Sequence, residues 1–233
     1  MNIDNFLTWE KFEQWQALSG QTTIRCRYQK EVYDDSYFTQ LNICMPETLQ
    51  SAVTKRKAEY LAGRFAAKKA LACHSIFEQQ ILTGKDRSPI WPTQLIGSIT
   101  HTNSNAFCIV APKENYHLVG IDTEDWIAEK TYSNIKKSII TEQEHWQLEQ
   151  LSFTTTQAFT LAFSAKESLF KALYPSVQKY FDFMAAKIIR VDESNATFVI
   201  ELTKDLNGLH CQQRQYQGQY QLLEGSIVTL IIE

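Results

Sequence analysis

The sequence lacks the features that mark a membrane-spanning or secreted protein. Its 233 residues contain no apolar run that approaches the roughly 20 residues needed to cross a bilayer. The segment from Met1 to Glu13 carries acidic side chains and no apolar core, so we expect no secretory signal. We therefore expect a cytoplasmic protein without an integral membrane segment, which can still associate peripherally with a membrane or a synthase complex.

The sequence also lacks closely spaced cysteines and an excess of positive charge. The five cysteines lie far apart, and none forms a CxxC pair, which argues against a disulfide framework and against a zinc site. The net charge of -3 excludes the basic excess typical of a general nucleic-acid binder, so we expect no nucleic-acid partner. A hydrophobic share of 44% is instead typical of a globular protein with a substantial core.

Each half of the chain combines a long helix with several strands, and no low-complexity linker separates the halves. The element order hints at an internal duplication. The predicted strands are 22–28, 37–43, 95–100, 106–111, 118–123, 186–191, 196–202, 216–222 and 226–232. The predicted helices run from Pro46 to about residue 74, over 141–151 and over 156–174, the last one stopped by Pro175.

A pair of acids stands at the end of the predicted strand 118–123. Asp122 and Glu124 alternate along an extended chain, so they share one face with Cα atoms roughly 6.6 Å apart. Gly120 lies on the same face and leaves room for a close approach. Two carboxylates on one face can hold magnesium, which prefers oxygen ligands. A solvated strand end is the alternative interpretation.

A lysine interrupts the apolar arc of the predicted helix 156–174. At about 100° per residue, Lys166 falls in the middle of that arc, while Glu167 and Lys171 lie at its edge, one turn apart. A lysine in an apolar stripe is costly unless its charge meets a partner, and a phosphate would be such a partner. The alternative is that Lys166 snorkels to solvent beside an ordinary i,i+4 ion pair.

The first half contains residue types that bind phosphate. Thr100 and His101 close the strand 95–100 at a turn that offers hydroxyl, amide and imidazole groups. Arg56 and Arg64 lie eight residues apart on one predicted helix, about 80° around its axis, and can line one groove. The alternatives are a structural histidine and a solvent-exposed charged face.

Four segments, in this order, resemble the Sfp-type 4'-phosphopantetheinyl transferases and, among them, the enterobactin-synthase (EntD-like) subgroup. They are RKAEYLAGRFAAKKAL at 56–71, RSPIWPTQLIGSITH at 87–101, GIDTE at 120–124 and FSAKESLFKAL at 163–173. The resemblance implies an α+β fold with two similar α/β halves, 1–117 and 118–233, related by a pseudo-twofold axis. It places the phosphate-binding residues in the first half, the magnesium and catalytic residues in the second, and coenzyme A between the halves.

The resemblance also implies roles for single residues. The acids that match the magnesium site are Asp122, Glu124 and Glu167. The residues that match the catalytic lysine–glutamate motif are Lys166, Glu167 and Lys171, and both lysines would also contact coenzyme A. The further residues that match coenzyme A phosphate-binding positions are Arg56, Arg64, Lys85, Arg87, Thr100 and His101. Two residues depart from the broader family: Phe163 replaces a frequent tryptophan, and Thr123 replaces an aliphatic residue.

The implied reaction moves the 4'-phosphopantetheine group of coenzyme A to a serine of an apo acyl or peptidyl carrier protein. Adenosine 3',5'-bisphosphate leaves, and the subgroup points to siderophore or other nonribosomal peptide synthesis. The internal duplication favours a monomer. The residues alone also fit a metal-dependent phosphohydrolase, or a coenzyme A-binding module without catalysis.

Overall fold

Antiparallel sheets, each with one long helix against it, make up the two units into which this chain divides. The computed structural model describes residues 3–16, 18–84, 86 and 88–233, and the units are Met1–His117 and Leu118–Glu233. This mixture of helix and antiparallel sheet confirms the predicted α+β class. None of the helices in the described part of the chain has both the length and the apolar composition that crossing a bilayer requires.

The first unit is built on a four-stranded sheet. Its strands are β1 (Leu7–Lys11), β2 (Thr22–Tyr28), β3 (Leu95–His101) and β4 (Asn105–Pro112), and they are ordered β1-β2-β4-β3. Its helices are α1 (Ile3–Phe6), α2 (Ser36–Gln40), α3 (Glu47–Gln50) and α4 (Thr54–Cys73). The alanine-rich α4 packs against β2 and β4, and its Gly63 comes close to Ile99 of β3. This packing buries one face of the sheet.

The second unit has a five-stranded sheet. Its strands are β5 (Val119–Asp125), β6 (Ala186–Asp192), β7 (Thr197–Leu202), β8 (Gln215–Leu223) and β9 (Ser226–Ile232), and they are ordered β5-β9-β8-β7-β6. Its helices are α5 (Glu129–Ile139), α6 (Glu142–Leu148) and α7 (Thr155–Val177). Helix α7 packs against β5 and β9, and a capping box of Thr154 and Gln157 satisfies its first backbone N–H groups.

Two predictions in the first half are wrong. Residues 37–43 do not form a strand, because Tyr37 and Phe38 are consecutive and both buried, which suits helix α2 better than a strand with one solvent face. The predicted helix from Pro46 to about residue 74 is two helices, α3 and α4. The chain turns between them, where Ala52 N–H donates to the Leu49 carbonyl and Val53 is extended.

Two further differences concern the second half. Pro175 does not stop α7, which continues to Val177 and ends with Gln178 N–H donating to the Tyr174 carbonyl. Helix α5 was not predicted. In the first half, β1 was not predicted either. Strands β2 to β9 lie at the predicted places with ends shifted by at most two residues, β5 for example running to Asp125 instead of residue 123.

Helix α7 approaches β5 so closely that only glycine fits at position 120. A Cβ atom on Gly120 would lie 2.0 Å from the Ser168 carbonyl oxygen and 2.5 Å from the Ala172 nitrogen. On the same side of α7, Ser164 Oγ and Thr229 Oγ1 of β9 are 2.9 Å apart, and Ser168 Oγ donates to the Thr229 carbonyl. Small and hydroxyl side chains therefore fix the depth at which α7 lies on the sheet.

We predict that Gly120→Ala destabilises the protein by about 2 kcal/mol or more, because the new methyl group meets backbone atoms that cannot give way without moving α7. Thermal unfolding measures this loss. The matched control is Gly208→Ala, whose added Cβ has no neighbour within 4 Å. Equal melting temperatures for the two variants would contradict the close-approach interpretation.

Candidate active site

Strand β5 and helix α7 bring together the acids that the sequence singled out in the second half. Asp122 is buried and Glu124 is half-buried on the strand, and Glu167 is half-buried on the helix. Both Glu124 and Glu167 lie close enough to Asp122 that its negative charge raises their pKa values. Thr123, between the two strand acids, instead donates its hydroxyl proton to the Ile227 carbonyl of β9.

Burial and mutual repulsion raise the pKa values of two of these acids, Glu124 and Glu167. Burial is the largest cause that raises the pKa of Glu124, to about 8, and the charges of Asp122 and Glu167 add to it. Burial is also the first cause that raises the pKa of Glu167, followed by Asp122. The Lys171 ammonium lowers both pKa values, but not enough to offset these causes. A cation bound among these carboxyl groups would relieve the repulsion and favour their ionised forms.

Lys171 interacts with the acidic cluster of Asp122, Glu124 and Glu167. Its Nζ atom donates to Asp122 Oδ1 at 2.7 Å and to the Ile121 carbonyl at 3.2 Å. Its side chain is 26% exposed, so the ammonium remains accessible from solvent. Lys171 and Glu167 stand one helical turn apart, which places both along the edge of α7 that faces the strand acids.

The structure gives Lys166 a partner within the protein. The side chain is buried, and its Nζ atom donates to Glu144 Oε1 at 2.8 Å and to the Ile139 carbonyl at 2.7 Å. This ion pair accounts for a lysine in the apolar arc without any phosphate, and neither snorkelling nor an i,i+4 pair explains it. The contact of Lys166 with coenzyme A stays a prediction.

Glu144 is the residue that the sequence analysis missed. Its carboxylate closes the capping box of α6 by accepting from the Thr141 N–H and also accepts from the Ile188 N–H of β6. The spacing T-x-x-E at 141–144 is a capping-box pattern and agrees with the start of the helix predicted over 141–151. Nothing in that pattern indicates that the same glutamate pairs with Lys166.

The ligand atoms that the acidic cluster offers are of the kind that magnesium prefers. All its ligand atoms are carboxylate oxygens, which magnesium prefers, and a divalent cation would offset the repulsion that raises the pKa values of Glu124 and Glu167. Among the residues that the structure describes, however, no group of three or more His, Cys, Asp or Glu side chains is arranged as a metal site. The magnesium assignment therefore stays a prediction.

A cavity of about 100 Å³ opens beside the acidic cluster. Glu167 and Lys166 contribute to its wall, and most of the remaining lining is aromatic, with rings from Phe170, Phe181 and Phe183. Tyr180 also lines the cavity and is strongly exposed. Such a lining suits an uncharged, flexible ligand chain more than a phosphate.

Two predicted phosphate-binding residues of the first unit meet across α4 and β3. Arg56 Nη1 lies 3.3 Å from His101 Nε2, and Glu59 Oε2 lies 3.7 Å from Arg56 and 4.0 Å from His101. Thr100 is buried and, as the next residue along the strand, faces the opposite side of the sheet from His101. The structure therefore groups Arg56 with His101 but not with Thr100.

Arg64 lies two turns along α4 from Arg56 and is held in place by its neighbours. Its guanidinium stacks over the Tyr60 ring at 4.7 Å, and Nη2 donates to Thr83 Oγ1 at 3.1 Å. Its buried Nε atom has no hydrogen-bond partner among the described residues. A preorganised arginine of this kind is suited to anion binding. The predictions for Lys85 and Arg87 fall on positions that lie outside the described residues.

Comparison with known proteins shows the family to which this chain belongs. Residues 45–111 match the family model described as the 4'-phosphopantetheinyl transferase N-terminal domain, and residues 118–226 match the 4'-phosphopantetheinyl transferase superfamily. The chain is 32% identical over 182 residues to enterobactin synthase component D of Escherichia coli O157:H7, covering 78% of this chain and 80% of that protein. The chain belongs to the 4'-phosphopantetheinyl transferase superfamily.

Other relatives support the same family assignment. Enterobactin synthase component D of Salmonella typhi is 40% identical over 130 residues, which are 54% of this chain and 52% of that protein. The 4'-phosphopantetheinyl transferase Npt of Nocardia iowensis is 26% identical over 196 residues, 78% of this chain and 85% of that protein. The resemblance of the four sequence segments to this family is confirmed, and the chain is an enzyme of this transferase type.

We predict that the affinity of the transferase for magnesium rises as the pH is raised from about 6.5 to about 9. The raised pKa of Glu124, about 8, means that this carboxyl is protonated in the lower part of the range and becomes a ligand only after losing its proton. Calorimetric titration of the transferase with magnesium alone measures the change. Glu124→Gln should flatten it, and a pH-independent affinity in the unchanged chain would refute this prediction.

We predict that Arg56→Ala and Arg64→Ala each raise the apparent Kd for coenzyme A by about tenfold, because each removes a cation that can pair with phosphate. Direct binding measurements on folded protein test this. Arg190→Ala is the control, since Arg190 is an exposed arginine of β6 in the other unit. An unchanged Kd in both arginine variants would remove these residues from the phosphate site.

Proposed function

We propose that this transferase moves the 4'-phosphopantetheine group of coenzyme A to a serine of apo acyl or peptidyl carrier proteins. The observation that carries the proposal is the acidic cluster of Asp122, Glu124 and Glu167 with Lys171 beside it, in a chain of this family. Relatives named enterobactin synthase component D support siderophore or other nonribosomal peptide synthesis as its setting.

The reaction is a displacement at phosphorus. The carrier serine oxygen forms a bond to the β-phosphorus of coenzyme A, and the bond from that phosphorus to the bridging pyrophosphate oxygen breaks. Adenosine 3',5'-bisphosphate leaves with the bonding electron pair, and the serine proton moves to a base. Catalysis of this kind depends mainly on positioning and on cations placed where negative charge develops.

We assign the proton transfer to Glu167 and the charge stabilisation to Lys171. The raised pKa of Glu167 makes its carboxylate a stronger base than an exposed glutamate, so it can accept the serine proton directly or through a water molecule. Lys171 is accessible and already paired with Asp122, so its ammonium can turn toward a leaving phosphate oxygen without crossing apolar surface.

Magnesium would be held by Asp122, Glu124 and Glu167. When bound, it supplies positive charge that neutralises and orients the pyrophosphate. In the first unit, Arg56, His101 and Arg64 are the proposed phosphate contacts, and the contributions of Lys85, Arg87 and Thr100 stay predictions. The aromatic cavity beside Glu167 would take part of the uncharged pantetheine arm. We further propose a monomer that acts in the cytoplasm.

Intact-mass measurement on apo carrier proteins tests this function. We predict that the transferase, coenzyme A and magnesium together add one phosphopantetheine group to a carrier serine and release adenosine 3',5'-bisphosphate. Asp122→Asn and Glu167→Gln preserve side-chain shape and remove a carboxylate charge, so we expect each to lower the transfer rate by about a hundredfold or more while the circular dichroism spectrum is unchanged.

Each competing function gives a different result in the same assay. A phosphohydrolase would consume coenzyme A without any carrier, and a binding module would retain coenzyme A without labelling a serine. Near-normal transfer by folded Glu167→Gln would leave the family assignment in place but overturn the role given to this carboxylate.

A further inference from the structure

The carboxylate of Glu144 is buried and fully engaged. Only 1% of this residue is exposed. Oε1 accepts from the Lys166 ammonium at 2.8 Å and from the Ile188 N–H at 2.9 Å, while Oε2 accepts from the Thr141 N–H at 2.9 Å. One side chain therefore joins the start of α6, the edge strand β6 and the catalytic helix α7.

Lys166 completes this junction from the other side. Besides Glu144, its ammonium donates to the Ile139 carbonyl at the end of α5. Lys166 and Ser168 project about 160° apart around the axis of α7, and Ser168 is on the side that contacts β5 and β9. The helix is thus held by the sheet on one side and by the α5–α6 corner on nearly the opposite side.

The two lysines of α7 are directed to different partners. Lys166 and Lys171 project about 140° apart around the helix axis. Lys171 meets Asp122 of the acidic cluster, whereas Lys166 meets Glu144. Pairing with Glu144 keeps the Lys166 charge away from the neighbouring Glu167, so that Lys171 is the lysine left to act at the acidic cluster.

We propose that Glu144 is a positioning residue for phosphopantetheine transfer, which acts by holding Lys166 so that α7 presents Glu167 and Lys171 to β5. On this proposal Lys166 is also a positioning residue, and its ammonium does not touch coenzyme A. The inference rests on the proposed function, because the reaction that depends on this positioning is the transfer to a carrier serine.

The physical reason lies in the cost of an unpaired buried charge. Without the Glu144 carboxylate, the Lys166 ammonium has no opposite charge to pair with in a place from which water is excluded. The adjacent carboxylate on α7 is Glu167, so the ammonium would turn toward it or pull the helix toward solvent. Either movement displaces groups of the acidic cluster. Removing both charges avoids this displacement, because a buried ion pair can be replaced by uncharged groups of similar size.

Three variants test the proposal: Glu144→Gln, Lys166→Met and the double variant. Glutamine keeps an oxygen for the Ile188 N–H, and methionine fills the place of the lysine stem. For Glu144→Gln we expect kcat to fall by about thirtyfold or more with the KM for coenzyme A within about threefold of the unchanged enzyme. For the double variant we expect recovery to within about threefold of the kcat of Lys166→Met.

The opposite pattern would overturn the proposal. If Lys166 contacts a coenzyme A phosphate, Lys166→Met raises the KM for coenzyme A by about tenfold or more, and the double variant is no better than either single one. A normal kcat in Glu144→Gln would equally reject the positioning role. Failure of the unchanged enzyme to label any carrier would instead contradict the proposed function, so the two failures can be told apart.

Thermal unfolding shows whether each variant folds and gives a second readout. We expect Glu144→Gln to lower the Tm by about 10 °C and the double variant to recover most of that loss, since the uncompensated charge is gone. Glu201→Gln is the matched control, because Glu201 also pairs with a lysine of the second unit, Lys187, at 3.2 Å. The control should keep its kcat. A double variant less stable than Glu144→Gln would contradict the ion-pair argument.

Discussion

The close approach of helix α7 to strand β5 is the contact on which the acidic cluster depends. Gly120 has no side chain, so the Ser168 carbonyl and the Ala172 nitrogen can lie where a Cβ atom would otherwise stand. This brings the edge of α7 that carries Glu167 against the face of β5 that carries Asp122 and Glu124. Hydrogen bonds from hydroxyl side chains of α7 to Thr229 secure the same depth.

The second unit buries several charged side chains, and burying a charge lowers the stability of the fold. Three carboxylates share a partly buried surface with one accessible ammonium, and burial raises the pKa values of Glu124 and Glu167. A second lysine of the same helix is neutralised by Glu144 in the interior. Buried ion pairs are weak contributors to stability. In this unit, pairing gives each lysine a fixed partner. The acids that still repel one another, Glu124 and Glu167, are half-buried and can be reached by a cation.

Much of the fold and of the site could be predicted from the sequence, for identifiable reasons. Short runs of apolar, aromatic and β-branched residues located β2, β7 and β9 within one residue, because this strand signal is local. The strand predicted over 37–43 was wrong because two consecutive buried aromatic residues satisfy a short helix. The spacing of Asp122 and Glu124 indicated a shared face, and Gly120 indicated close packing there, although what packs against it could not be known.

The sequence by itself determined the family, the α+β class and the residue types of the acidic cluster, since these depend on motifs and on local periodicity. Only the tertiary structure decided the partners: Lys171 with Asp122, Lys166 with Glu144, and His101 with Arg56 but not with Thr100. The residues of each pair lie 22 to 49 positions apart in the chain. Their contact follows from the depth and rotation of packed helices, which no short segment of sequence encodes.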